Sequence, residues 1–172
     1  MNRCWPRPPE CREFQEWVAQ YDTIKNRYNT LVLNGRSEMG KTSYCQYLFG
    51  DPEKMLVLNC DGCILPDLVD FSREQGHMGI TFDEGCPRLI LNHKRVFQRL
   101  PYFTSVKQSA TQMYKQVVML SGVRLIVTTN SWHEDHDQCS DTEKAWLQQN
   151  VIVVNVTQPL YRAGELVHAS QT

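Results

Sequence analysis

The sequence lacks any long apolar run. None of its 172 residues falls in a stretch that approaches the roughly 20 apolar residues needed by a membrane-spanning helix. Residues 1–14 (MNRCWPRPPECREF) also lack the apolar core of a secretory signal peptide. We therefore expect an intracellular protein, nuclear or cytoplasmic, with no membrane among its partners.

The sequence also lacks an excess of charge of either sign and an even number of cysteines. The net charge is −1, so the chain as a whole has no electrostatic attraction to nucleic acid, although a local basic patch is compatible with this value. The seven cysteines are an odd number, and we expect unpaired thiols in a reducing compartment. Cys60 and Cys63 form a lone C-x-x-C, and the loop at 133–139 (HEDHDQC) reads as polar, so no zinc site is expected.

What the sequence does contain is a phosphate-binding pattern at residues 30–43 (TLVLNGRSEMGKTS). A strand-like apolar run leads into Gly35, and Gly40, Lys41 and Thr42 follow after four residues, which matches G-x-x-x-x-G-K-[ST]. Backbone N–H groups of such a loop surround a phosphate, and its glycines permit positive φ angles. We expect Lys41 to reach the β- and γ-phosphates of ATP and Thr42 to hold Mg²⁺. The predicted nucleotide contacts are the whole loop: Gly35, Arg36, Ser37, Glu38, Met39, Gly40, Lys41, Thr42 and Ser43.

Two acids, Asp83 and Glu84, follow the third apolar run. An ordinary strand end has the same appearance, but ligands of parallel α/β sheets bind at the carboxyl ends of strands, where the phosphate loop also lies. We therefore expect Asp83 to be a Mg²⁺ ligand, directly or through water, and Glu84 to be the general base that activates water.

Asn130 follows another apolar run, 123–128. Its amide could orient water against a γ-phosphate, or it could be a helix cap or turn residue. The spacing alone leaves both interpretations open.

Five short apolar runs alternate with helix-like segments, at 30–34, 55–59, 78–82, 123–128 and 151–156. Continuous apolar runs are typical of strands that helices cover on both faces, so we predict a three-layer α/β P-loop NTPase fold with a central, mainly parallel five-stranded sheet. Helices are predicted at 10–25, 44–49, 66–73, 87–100 and 141–149, and ragged strands at 103–106 and 112–120. The predicted domain spans 10–161, with a flexible lead-in at 1–9 and a tail at 162–172.

The sequence has neither the arginine-rich lid of a nucleotide kinase nor the N-K-x-D signal of a GTPase. A water-activating Glu84 favours hydrolysis over transfer to a second small molecule. A small-molecule kinase is therefore the least favoured alternative.

The order of four segments, GRSEMGKTS, ITFDE, PYFTSVKQSATQMYKQVVML and LIVTTN, resembles the superfamily 3 helicase domain. It is similar in particular to the replication-initiator (Rep) proteins of circular single-stranded DNA viruses and their cellular relatives, over residues 14–161. The resemblance implies an AAA+-like domain, assembled as a hexameric ring, that hydrolyses ATP and moves along single-stranded DNA. RNA is the alternative nucleic acid.

The resemblance assigns roles residue by residue. The first motif matches at the loop residues named above, the second at Asp83 and Glu84, and the sensor asparagine at Asn130. The hairpin lysine of the family, which approaches DNA or the nucleotide, matches Lys107, in a context that includes Pro101, Tyr102 and Val106. Lys115, on the same predicted hairpin, is a second candidate for contact with DNA.

The chain departs from the family in two respects. We expect this domain to be separate from the nuclease of the family, since the predicted helix begins near residue 10, and residues 144–150 (KAWLQQN) contain no arginine where a finger is expected. Arg124 and Arg162 are alternative fingers. Because arginine fingers raise the rate by orders of magnitude, this absence supports a second hypothesis, a nucleotide-binding module without motor activity.

Two further groups have competing interpretations. Arg88, Asn92, Arg95 and Arg99, with Lys94 beside them, share one face of the predicted helix 87–100, where a solvated surface is favoured over a nucleic-acid stripe. Phe14, Trp17 and Tyr21 are interpreted as packing residues, and stacking on adenine is the alternative implied by the family.

Overall fold

The computed structural model of the chain describes residues 7–25, 27–98, 103–108 and 113–161. The predicted tail at 162–172 and most of the predicted lead-in lie outside the described residues. The same is true of four residues named above: Arg99, Pro101, Tyr102 and Arg162.

Seven strands form two sheets in the described part of the chain. Their bounds are β1 (Thr30–Asn34), β2 (Met55–Asn59), β3 (Gly79–Asp83), β4 (Phe103–Gln108), β5 (Met113–Val118), β6 (Arg124–Thr129) and β7 (Val151–Asn155). The main sheet has the order β2-β3-β6-β1-β7, and every neighbouring pair in it is parallel. β4 and β5 form a separate antiparallel hairpin between β3 and β6. The predicted fold class is confirmed, and the sheet is wholly rather than mainly parallel.

Six α-helices accompany these strands in the described ranges: α1 (Arg12–Ala19), α2 (Lys41–Gln46), α3 (Pro87–Asn92), α4 (Lys94–Phe97), α5 (Trp132–Asp137) and α6 (Asp141–Asn150). α1 is shorter than the predicted helix and continues as a 3-10 turn to Asp22, where the apolar spacing ends. The longest of the six has ten residues, and none of them is long and apolar enough to cross a membrane.

The central strand β1 is buried on both faces, as its continuous apolar sequence predicts. Leu31 and Leu33 pack in one core cluster with Phe14 and Trp17 of α1. Val32 points to the other face and belongs to a second cluster, which includes the apolar side chains of α3 and α4. The two clusters are the two interfaces of the three-layer arrangement.

One predicted helix is wrong, and a second is confirmed in part as two shorter helices. Residues 66–73 form turns, because the Asp67 carboxylate accepts a hydrogen bond from Val69 N at 3.0 Å and so offers the backbone an alternative to the helix. The predicted helix 87–100 breaks at His93, whose φ of −128° and ψ of 43° lie outside the helical region.

This break also argues against a nucleic-acid stripe, which was the less favoured interpretation of the basic residues. Arg88 pairs with Glu143 of α6 at 2.6 Å, and Lys94 Nζ lies 5.0 Å from the centre of the Trp146 ring. These two cations therefore contact α6 instead of forming a continuous stripe along one helix.

α5 lies in a segment that was predicted to be a polar loop. Trp132 is the only residue of α5 that is buried, at 2% exposure. One apolar residue produces no periodicity, so the sequence carries no helical pattern here.

The aromatic residues of α1 are core residues, as interpreted from the sequence. Trp17 is 1% exposed, and its indole Nε1 donates to Asn29 O at 3.0 Å. Phe14 packs against Trp17 and Tyr44, with ring centres 6.0 Å apart in both pairs. Burial at this depth leaves no face of Trp17 open to a nucleotide base.

We predict that Trp17→Ala lowers the free energy of unfolding by about 3–5 kcal/mol, because it removes a fully buried ring and leaves a cavity. Urea denaturation followed by far-UV circular dichroism measures the change. Val18→Ala is the matched control, since Val18 is the next residue of α1 and is 44% exposed, and we expect a change within about 0.5 kcal/mol. Equal effects of the two substitutions would contradict the placement of α1.

Candidate nucleotide-binding site

Three neighbouring strands bring the predicted site residues to one edge of the sheet. The order β3-β6-β1 places their carboxyl ends side by side, so the phosphate loop after β1, the acids after β3 and Asn130 after β6 meet there. They line a cavity of about 490 Å³, together with Ser131 and Asp135. The phosphate loop contributes residues 37–43 to this lining, which does not include Gly35 and Arg36.

The loop is held in shape by contacts from both sides. Gly35 N donates to Thr129 O at 3.1 Å, and Leu160 N donates to Met39 O at 2.8 Å. Gly40 has a φ of 76°, and a Cβ placed on it would lie 2.8 Å from the Tyr161 ring. Glycine is therefore required at Gly40 both by the left-handed backbone and by the close approach of the ring.

Lys41 occupies the centre of the site, at 7% exposure. Its Nζ donates to Gly35 O at 2.5 Å, to Arg36 O at 2.7 Å and to Asn130 Oδ1 at 2.9 Å. Burial lowers the pKa of Lys41 from its ordinary value, and the negative charge of Asp83 acts in the opposite direction. Among the described residues no carboxylate lies within ion-pair distance of this ammonium group.

Thr42 and Asp83 are in direct contact, although 41 residues separate them. Thr42 Oγ1 donates to Asp83 Oδ1 at 2.6 Å, and Thr128 Oγ1 donates to the same oxygen at 2.6 Å. In the described residues both hydrogen bonds fall on Oδ1, which leaves Oδ2 for another ligand. One hydroxyl and one carboxylate beside a phosphate site are the kind of donor set that Mg²⁺ uses in proteins, so the residues fit this ion.

Glu84 follows Asp83 in a strained turn. Its φ is 57°, which costs about 1–2 kcal/mol for a residue other than glycine. The turn is held by two hydrogen bonds to Thr128, from Glu84 N to Oγ1 at 3.4 Å and from Gly85 N to the carbonyl oxygen at 2.9 Å. The side chain of Glu84 is exposed and lines the cavity, where it can reach water.

The structure brings Asn130 to the phosphate loop. Besides accepting from Lys41, its Nδ2 donates to Ser37 Oγ at 3.2 Å. The residue that precedes α5 in the N-cap position is Ser131 rather than Asn130. Of the two interpretations that the spacing left open, the geometry favours a contact with the site over a helix cap.

Sequence reasoning missed Thr128. It is 2% exposed and lies on β6, two residues before Asn130. Threonine is common in buried strands, so its presence alone does not indicate a functional residue. The available clue in the sequence was its position at the carboxyl end of a predicted strand, and that clue is weak.

Lys107 and Lys115 are both on the β4–β5 hairpin, where Lys107 pairs with Tyr114 and Lys115 pairs with Val106. Their contact with nucleic acid stays a prediction.

Arg124 is engaged elsewhere. It begins β6, at the end opposite to Asn130, and its guanidinium lies 4.4 Å from the centre of the Tyr21 ring and 5.5 Å from that of Phe49. These cation–π contacts give Arg124 a packing role at the far edge of the sheet.

The prediction that all cysteines are unpaired is wrong for two of them. Cys63 and Cys86 form a disulfide whose Cα atoms are 5.9 Å apart, and both residues line the cavity beside Glu84. The sequence could not show this pairing, because the turn after β2 and the start of α3 meet only in the folded chain. Cys11, Cys45, Cys60 and Cys139 carry free thiols. Within the described ranges no group of three or more ligand-type side chains could hold a metal ion.

Comparison with known proteins supports the fold. An apo structure of the NrS-1 C-terminal region matches with a TM-score of 0.55 and 12% sequence identity, over 86% of this chain and 34% of that one. A second apo form matches with a TM-score of 0.50 and 12% identity, over 89% and 35%. The chain thus spans about a third of the length of these structures. NtrX from Brucella abortus in complex with ATP matches more weakly, with a TM-score of 0.47 and 14% identity, over 91% and 39%, and we draw nothing from it.

No protein-family model matches the chain, and no curated protein matches it by sequence. The parallel sheet with its central β1, the glycine-lysine loop after β1 and the acids after β3 define the class: this is a P-loop NTPase fold.

We predict an order of thiol reactivity at pH 8 without reductant. Burial raises the pKa of Cys45 and of Cys60 to about 12, so both keep their protons and react negligibly with iodoacetamide until the pH is strongly alkaline. Cys11 is only half-buried and should be alkylated before the other three described free thiols, all of which are buried. Peptide mapping by mass spectrometry checks this, and alkylation of Cys63 or Cys86 before reduction would contradict the disulfide.

Proposed function

We propose that this chain is the ATP-hydrolysing domain of a superfamily 3, Rep-like DNA helicase or translocase. One observation carries the proposal. Lys41 and Thr42 begin α2, Asp83 ends β3 and Asn130 follows β6, and all four line one cavity with the exposed Glu84 as two hydrogen-bonded pairs, Lys41–Asn130 and Thr42–Asp83. Hydrolysis of a triphosphate needs this set of groups, comprising a cation, a metal-side carboxylate, a base and a polar amide.

In the proposed reaction, the loop amides and Lys41 bind the phosphates of ATP. Phosphate oxygens replace Gly35 O and Arg36 O as partners of the ammonium group, which offsets the cost of its burial. Thr42 and Asp83 would hold Mg²⁺, which neutralises charge on the phosphates when bound. Glu84 accepts a proton from water as the water oxygen attacks the γ-phosphorus, and the bond to the β–γ bridging oxygen breaks to give ADP and phosphate.

The resemblance to Rep proteins supplies the partners in this proposal. Single-stranded DNA would contact the β4–β5 hairpin, which lies between α4 and β6 in the chain and carries Lys107 and Lys115. RNA is the alternative strand, and a hexameric ring is the proposed assembly.

A nucleotide-binding module without motor activity is the second candidate. Residues 144–150 belong to α6 and contain no arginine, and Arg124 is held between two aromatic rings. This candidate predicts nucleotide binding, negligible turnover and a monomer in size-exclusion chromatography with ATP. Brisk hydrolysis by a hexamer would exclude it.

We predict that Glu84→Gln binds ATP as wild type does but hydrolyses it about 10²–10⁴-fold more slowly, because the amide cannot accept the proton. Lys41→Ala should lose both binding and turnover. A coupled phosphate-release assay and titration with a fluorescent ATP analogue measure the two properties. Lys25→Ala is the control, since Lys25 is exposed in the loop between α1 and β1, and it should match wild type. Turnover that survives in Lys41→Ala would overturn the assignment of the loop.

We predict that single-stranded DNA raises the ATPase rate and that Lys107→Ala lowers this DNA-dependent increment, because a phosphate contact is lost. The measurement is the rate at increasing concentrations of an oligonucleotide, at two salt concentrations, and the increment should fall as salt rises. An RNA oligonucleotide of the same sequence distinguishes the two partners. A rate indifferent to both nucleic acids would remove the helicase proposal and leave the ATPase.

A further inference from the structure

Three consecutive residues at the end of β6 contact the two parts of the site, the phosphate loop on one side and the acidic pair on the other. Thr129 O accepts a hydrogen bond from Gly35 N, and Asn130 contacts Lys41 and Ser37 of the phosphate loop. Thr128 contacts the acidic pair on the other side. The register explains this division, because Val127 pairs with Phe82, which places Thr128 directly beside Asp83.

Thr128 contacts the turn at Asp83 and Glu84 through both its hydroxyl and its carbonyl oxygen. Its hydroxyl donates to Asp83 Oδ1 at 2.6 Å and accepts from Glu84 N at 3.4 Å, and its carbonyl oxygen accepts from Gly85 N at 2.9 Å. At 2% exposure the side chain has no freedom to turn away. One buried residue thus contacts the metal-side carboxylate and also holds the left-handed turn that carries the general base.

We propose that Thr128 is a positioning residue for metal-dependent hydrolysis. Its hydroxyl fixes Oδ1 of Asp83, so that Oδ2 is directed to the metal position, and the same hydroxyl anchors the backbone of Glu84. The inference rests on the proposed function, which assigns those roles to the two acids. In this role Thr128 would act through its two neighbours, Asp83 and Glu84.

Two comparisons isolate the effect of the Thr128 hydroxyl. The first is wild type against Thr128→Val, whose side chains have nearly the same shape. The second is Thr128→Ser against Thr128→Ala, whose side chains differ by one oxygen atom. Thr81→Val is the matched control, because Thr81 is a fully buried threonine on β3 whose hydroxyl makes no hydrogen bond to either acid. Thermal melts followed by circular dichroism establish which variants fold. If Thr128→Val does not fold, the comparison of Thr128→Ser with Thr128→Ala still tests the role of the hydroxyl.

The readouts are kcat as a function of Mg²⁺ concentration and the affinity for a fluorescent ADP analogue with and without Mg²⁺. For the variants without the hydroxyl we expect kcat and Mg²⁺ affinity to fall about 10–100-fold, while ADP affinity without Mg²⁺ stays at the wild-type value. Thr128→Ser should recover most of the loss. Thr81→Val should change the melting temperature but not the Mg²⁺ dependence.

The outcomes distinguish a failure of the proposed ATP hydrolysis from a failure of the proposed role of Thr128. If wild type hydrolyses ATP and Thr128→Val or Thr128→Ala keeps its Mg²⁺ dependence, the role of Thr128 is wrong and the ATPase remains. A Thr128→Ser variant as impaired as Thr128→Ala also overturns that role. If wild type has no turnover, but Mg²⁺ strengthens its ADP binding and the variants without the hydroxyl lose this gain, the proposed hydrolysis fails and only the role of Thr128 in orienting Asp83 for metal binding stands.

Discussion

The buried ammonium group of Lys41 is the constraint on which the site depends. A charged group taken out of water needs either an opposite charge or a full set of hydrogen-bond acceptors. Lys41 has acceptors only, two loop carbonyl oxygens and the amide of Asn130, and burial lowers its pKa accordingly. An arriving phosphate would supply the missing negative charge, so the arrangement is suited to bind an anion.

The rest of the fold positions the partners of that lysine. β1 lies at the interior of a parallel sheet with β6 beside it and β3 one strand further, and the register aligns Asn34 with Thr129. Three strand ends therefore bring the loop, the Asn130 amide and the acids to one edge. The buried faces of β1 fix this edge rigidly, because a shift of one residue would exchange the two core clusters. The stability of the core and the geometry of the site thus have the same origin.

The sequence predicts what is local and misses what depends on distant contacts. The five sheet strands were placed to within one residue, because strands covered on both faces must be apolar at consecutive positions. The phosphate loop was recognisable because its function depends on backbone shape, which glycine spacing controls. In contrast, the Cys63–Cys86 disulfide and the contacts of Thr128 depend on partners far along the chain. Thr128 meets Asp83 across 45 residues, and no local pattern encodes that contact.

A crystal structure of the chain with ADP and Mg²⁺ would show directly whether Lys41 binds a phosphate. The proposed site predicts a β-phosphate oxygen within about 2.7–3.2 Å of Lys41 Nζ, in the place now taken by the carbonyl oxygens of Gly35 and Arg36. It also predicts a metal ion at about 2.1 Å from Thr42 Oγ1, with Asp83 beside it. A nucleotide bound elsewhere, or a Lys41 that keeps both carbonyl contacts and touches no phosphate, would contradict it.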